Sequence, residues 1–70
     1  MNLTLTIFPG SGARTIQFEA GHTLADLVVS EDLQGRQILI DGQSVDANVF
    51  REIELRSGMN VFATMSVKGN

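Results

Sequence analysis

The sequence has no cysteine, no tryptophan and no tyrosine, and only one proline and one histidine. Without cysteine there is no disulfide framework, and a single histidine leaves no Cys/His set to hold a structural metal. Basic residues are also scarce: Arg14, Arg36, Arg51, Arg56 and Lys68 are scattered along a chain of formal net charge -3. Nucleic-acid binding needs basic side chains gathered on one surface, where they displace counterions from phosphates. That function class is therefore set aside. No apolar run approaches the ~20 residues of a membrane-spanning helix. The opening Met1-Asn2-Leu3-Thr4 has neither the basic nor the apolar region of a secretory signal. The expectation is a cytoplasmic protein with neither a nucleic-acid nor a membrane partner.

A chain of 70 residues buries only ~60% of the surface it exposes when unfolded. With no covalent or metal staple, its core has to come from aliphatic side chains and four phenylalanines. Leu3, Leu5 and Ile7 alternate with Thr4 and Thr6, the period of a half-buried strand. Pro9-Gly10-Ser11-Gly12 interrupts it as a turn, and Ile16 and Phe18 resume the alternation in a second strand, so the pair reads as an antiparallel hairpin. Thr23 is a helix N-cap with Asp26 three residues on, a capping box in which Asp replaces Glu. Leu24, Leu27 and Val28 then share one helical face, and Gly35 is the expected stop beyond a helix end between Ser30 and Leu33.

Ile38 and Ile40 mark a third strand, with Gln37, Leu39 and Asp41 on its other face. Asp41-Gly42 is a two-residue hairpin turn, after which Val45 begins a short return strand. Residues 47–51 form one helical turn, and Ile53 and Leu55 pack back on the core. Ser57-Gly58 turns the chain into a last strand in which Val61, Ala63 and Met65 alternate with Phe62 and Thr64. Two hairpin strands, a helix and further strands predict an α+β fold, one mixed sheet of four to five strands with one main helix across one face. The closing strand is expected to lie parallel beside the opening one, which is the β-grasp, or ubiquitin-like, arrangement. Residues 1–66 form that domain, and residues 67–70 a C-terminal tail.

Three segments carry a family resemblance. Gly21-His22-Thr23-Leu24-Ala25-Asp26-Leu27 resembles the G-x-T-L-A-D-L stretch of the thiamine-pathway sulfur carriers. Ile38-Leu39-Ile40-Asp41-Gly42-Gln43-Ser44-Val45 is similar to their strand-Asn-Gly-x-x-Val hairpin, and Leu55-Arg56-Ser57-Gly58-Met59-Asn60-Val61 to their L-x-x-G-D-x-V turn into the last strand. Val67-Lys68-Gly69-Asn70 stands where those carriers, and the small subunit of molybdopterin synthase, end in Gly-Gly. The resemblance implies a carboxylate adenylated by a partner enzyme and then thiolated, with the tail Val67, Lys68, Gly69 and Asn70 as its site. Threading a narrow channel in extended form suits a tail without side chains. Here Lys68 and Asn70 replace the two glycines, and Met59 and Asn60 leave the turn without its acidic residue.

The second candidate site is the sheet face turned away from the helix. With Leu3, Leu5, Ile7, Val61, Ala63 and Met65 facing the helix, Thr4, Thr6, Gln17, Leu39, Phe62 and Thr64 lie outside, and Leu39 and Phe62 fall side by side. A swapped parity would instead put Phe62 in the core and Met65 outside. The partner-binding set is Leu39, Phe62, Thr64, Thr4 and Thr6. No catalytic set, metal set or cofactor is expected. His22 has no nucleophile or carboxylate at a working spacing. Asp26 is a cap, Glu31 and Asp32 a solvated helix end, and the glycines after Pro9 lack the Lys and following helix of a phosphate loop. The function expected is non-catalytic, docking on a partner protein through the sheet face and the tail. The alternatives are a working sulfur carrier for thiamine or molybdopterin synthesis, whose partner is an adenylating enzyme or synthase-like subunit, and a structural adapter in a larger assembly, a viral one included.

Overall fold

The computed structural model describes residues 1–65. The tail Val67–Asn70 and the last residue of the expected domain, Ser66, lie outside them. Five strands form one mixed sheet: β1 (Asn2–Phe8), β2 (Gly12–Gln17), β3 (Gln37–Ile40), β4 (Gln43–Val45) and β5 (Asn60–Thr64). The single α-helix, α1 (Leu24–Ser30), follows β2, and a 3₁₀ helix spans Ala47–Glu52. The strand order is β2-β1-β5-β3-β4. β1 and β5 run parallel at the centre of the sheet, and every other pair is antiparallel. The α+β arrangement, with a helix joined to a mixed sheet, is as expected.

Alternation decides which face each strand buries, because successive side chains point to opposite sides of a sheet. Leu3, Leu5 and Ile7 of β1 and Val61 and Ala63 of β5 are buried together with Ile38 of β3. Leu24, Leu27 and Val28 of α1 close the core from above, joined by Phe18, Leu33 and Leu55. A seven-residue helix is too short to persist alone in water, so this packing holds it.

Both ends of α1 are also tied. At its start the Asp26 amide donates to Thr23 Oγ1 and the Thr23 amide donates to Asp26 Oδ2, completing the capping box. The Leu24 amide, otherwise an orphan donor, gives its hydrogen to the Ile53 carbonyl at 2.8 Å. The far end differs from the expected stop. Asp32, with φ 56°, takes the left-handed position that glycine usually fills. The Leu33 amide then bonds the Val28 carbonyl and the Asp32 amide the Val29 carbonyl, a Schellman closure sealed by the buried pair Leu33 and Val28. Gly35 turns the chain only after the helix has ended.

Three further positions depart from expectation. β4 ends at Val45 instead of starting there, since the tight Asp41-Gly42 turn pairs Ile40 directly with Gln43. Asp41 itself, at φ 51°, is a turn residue and not part of the strand's outer face. Met65, expected in the core, is 59% exposed, because β5 stops at Thr64 and the alternation stops with it.

Candidate functional site

The face of the sheet opposite α1 has no covering layer among the described residues. Its central row crosses three strands: Thr6 of β1 stands opposite Phe62 of β5, and Phe62 opposite Leu39 of β3. Ser44 of β4 extends the row beyond Leu39. The next outward row is Phe8, Thr64 and Gln37, and the row on the other side joins Thr4 to Asn60. All five expected docking residues therefore share one face. Thr6, Phe62 and Leu39 are direct neighbours, while Thr4 and Thr64 lie one outward-facing position to either side. Phe62 is exposed and Leu39 half-buried, so the swapped parity does not occur.

Phe8 belongs to this surface and is absent from the expected set. It has the parity of Thr4 and Thr6, pairs with Thr64, and is 67% exposed against 36% for Phe62. The signal was present as the third step of the Thr4-Thr6 alternation, hidden by the Pro9-Gly10 turn directly after it. The difference in exposure decides which ring matters more. With ~200 Å² of surface per phenylalanine, 67% and 36% exposure leave roughly 130 Å² and roughly 70 Å² to bury, worth about 3 and about 2 kcal/mol at ~25 cal/mol per Å². Phe8 is the larger anchor and Phe62 the more central one.

The outer face is also free of charge. Its remaining positions are Asn2, Ala13, Thr15 and Gln17 by the β1–β2 register. Arg14, the one charged residue within a strand among the described residues, has inward parity opposite Leu5 and makes an ion pair with Glu31 at the end of α1. An inward charge on an edge strand also discourages unwanted pairing along that edge. Hydroxyl and amide groups supply all the polarity of the face, and Gln37 Nε2 donates to Ser44 Oγ at 2.8 Å across it. Arg36 marks one rim, where its guanidinium donates to the Pro9 carbonyl.

The chain leaves the sheet at the Phe8 end of this face. Thr64 pairs with Phe8, and Met65, the last described residue, follows it directly. The described chain thus ends next to the pair of Phe8, the most exposed of the phenylalanines. The tail residues, Val67 to Asn70, lie outside the described part.

Elsewhere the described residues form no comparable arrangement. An open depression of about 840 Å³ lies between the β3–β4 hairpin and the return segment, floored by Ile40, Val45, Ile53 and Met59. Those four side chains already pack on the core, so the depression is the edge of the layer covering the sheet. His22 is exposed, and its backbone carbonyl accepts from the Leu55 amide. Pro9 to Ser11 link β1 to β2, and Gly12 opens β2. Among the described residues, no three or more His, Cys, Asp or Glu side chains cluster to hold a metal ion. No family model matches this chain, and no curated protein matches it.

Proposed function

We propose that this chain is a non-catalytic ubiquitin-like protein, a β-grasp domain of sulfur-carrier type, which docks on a partner protein through its outer sheet face and C-terminal tail. The observation that carries this reading is the charge-free face on which Phe8, Phe62 and Leu39 stand together, with the chain leaving the sheet beside Phe8. Apolar anchors set among short polar side chains suit a protein interface, where rings fill pockets and hydroxyls complete the rim. The strand order, with parallel β1 and β5 side by side in the middle, supports the β-grasp assignment. A cytoplasmic setting goes with it.

A second reading is a working sulfur carrier. It is supported by the capping box at Thr23 and Asp26 and the hairpin at Asp41-Gly42, both of which lie in segments that resemble the carrier motifs. Against it stand Lys68 and Asn70 at the positions of the two glycines. The chain is to be incubated with a sulfur-carrier adenylating enzyme, ATP and a sulfur donor, then weighed intact. Unchanged mass together with a complex that Phe8→Asp breaks is the expected result. A gain equal to one oxygen-for-sulfur exchange would make it a carrier. No complex and no mass change would leave the adapter role in a larger assembly as the surviving alternative.

A further inference from the structure

A strand at the end of a sheet uses half of its backbone hydrogen-bonding groups on its one neighbour and leaves the other half unpaired. The order β2-β1-β5-β3-β4 puts β2 and β4 in that position. β4 has only three residues, whereas β2 has six. Two hydrogen bonds show which groups of β2 are used. The Phe18 amide donates to the Met1 carbonyl, one step beyond the pair of Asn2 and Gln17. The Thr4 amide donates to the Met59 carbonyl, on the β5 side. Bonded and non-bonded pairs alternate along an antiparallel ladder. Ile16 and Arg14 are therefore bonded to Leu3 and Leu5, while Ala13, Thr15 and Gln17 turn their amides and carbonyls to the open side. All three residues are exposed, and they recur every ~6.6 Å along the strand. A row of donors and acceptors at that repeat is matched by another extended backbone. Nothing blocks the approach: β2 holds no proline or lysine, and its register with β1 runs without a bulge.

The helix side of the same edge is selective. A depression of about 350 Å³ opens between β2 and α1, floored by Ile16, Phe18, Leu27 and Leu55. Two residues before Ile16, Arg14 has the same inward parity. Its side chain is half exposed, and its guanidinium keeps donors beyond the pair with Glu31. We infer that β2 accepts, as a sixth strand of the sheet, an extended segment of an unlike protein that runs antiparallel to it, with a large aliphatic residue opposite Ile16 and a carboxylate opposite Arg14. Backbone pairing supplies the affinity, and the two helix-side positions supply the selectivity. A second copy of the chain fits badly. Two β2 strands paired antiparallel through at least two of Ala13, Thr15 and Gln17 set Arg14 opposite Arg14, Ile16 or Phe18 of the other copy. Its charge then meets either a like charge or the apolar depression. Edge addition leaves the outer face bare, so the segment and a partner on that face can be bound at the same time.

The test is nuclear magnetic resonance on the isotope-labelled full chain with one capped peptide, Ser-Thr-Ile-Thr-Glu-Thr-Ser, whose Ile falls opposite Ile16 when its Glu falls opposite Arg14. In the free chain, amide hydrogen exchange should be fast at Ala13, Thr15 and Gln17 and slow at Arg14 and Ile16. Peptide at millimolar concentration should shift and protect the three fast amides. Replacing its Glu by Lys should weaken binding about threefold or more, and Arg14→Glu should reverse that preference. Thr15→Pro removes an amide that β1 does not use, so it should keep the fold and lose the peptide. The charge reversal decides the matter if that variant does not fold. No shift at millimolar peptide, or equal binding of the Glu and Lys peptides, overturns the inference. So does protection of the three amides in the chain alone that grows with protein concentration, which gives the edge to a second copy. Shifts confined to Thr6, Leu39 and Phe62 also overturn edge addition, and leave the docking reading of the outer face standing.

Discussion

Ile7 and Phe8 are neighbours in sequence and opposites in the fold, so one substitution made at both tests the strand register. Ile7 is 8% exposed and Phe8 67%. Ile7→Asp removes a buried side chain worth ~1.5–3 kcal/mol. It also places an unpartnered polar group among aliphatic neighbours, at a further ~2–7 kcal/mol. At ~0.05–0.15 kcal/mol per residue, a chain of 70 residues has a total stability of roughly 4–10 kcal/mol. The loss matches the whole, and Ile7→Asp should be unfolded. Phe8→Asp gives up its cross-strand pairing with Thr64 and the roughly 70 Å² of ring already covered, about 2 kcal/mol in all, and should stay folded. Urea titration followed by far-ultraviolet circular dichroism measures both. Equal losses in the two variants, or an unfolded Phe8→Asp beside a folded Ile7→Asp, would refute the assigned faces of β1.

Thr23→Ala removes the hydroxyl half of the capping box and should cost about 1 kcal/mol, seen as a melting temperature lower by ~4–8 °C. Asp32→Gly should raise the melting temperature, because glycine takes the φ of 56° without strain, whereas Asp32→Val should lower it. Gly10→Ala should destabilise, since a Cβ there would lie 2.6 Å from Ile7 Cγ2 at a φ of 154°; a thermal melt equal to wild type would contradict that packing. Arg14→Gln should cost less than ~1 kcal/mol, because its pair with Glu31 is partly solvated and screened by salt.

Much of the fold was legible because several local signals agreed. Period-two alternation placed β1 and β5, the dipeptide Asp41-Gly42 marked the hairpin turn, though not where β4 begins, and Thr23 with Asp26 opened the helix. Adjacency of Leu39 and Phe62 followed from strand order, and it is found in the register. What escaped depends on geometry that residue type does not announce. Asp32 ends the helix in a conformation expected of glycine, which only the buried closure of Leu33 on Val28 explains. Phe8 was masked by its position next to a turn. Met65 kept the inward parity of its strand but lies past the strand's last residue, where parity no longer determines burial.

The most direct measurement compares three chains bearing the same tag: wild type, Phe62→Asp and Val29→Asp. Each would be shown folded by circular dichroism and assayed for binding to the adenylating enzyme or to whichever protein co-purifies with wild type. Binding lost in Phe62→Asp and kept in Val29→Asp is the expected result. Binding kept in Phe62→Asp and lost in Val29→Asp would move the docking surface to the helix side and contradict the role given to the bare face of the sheet.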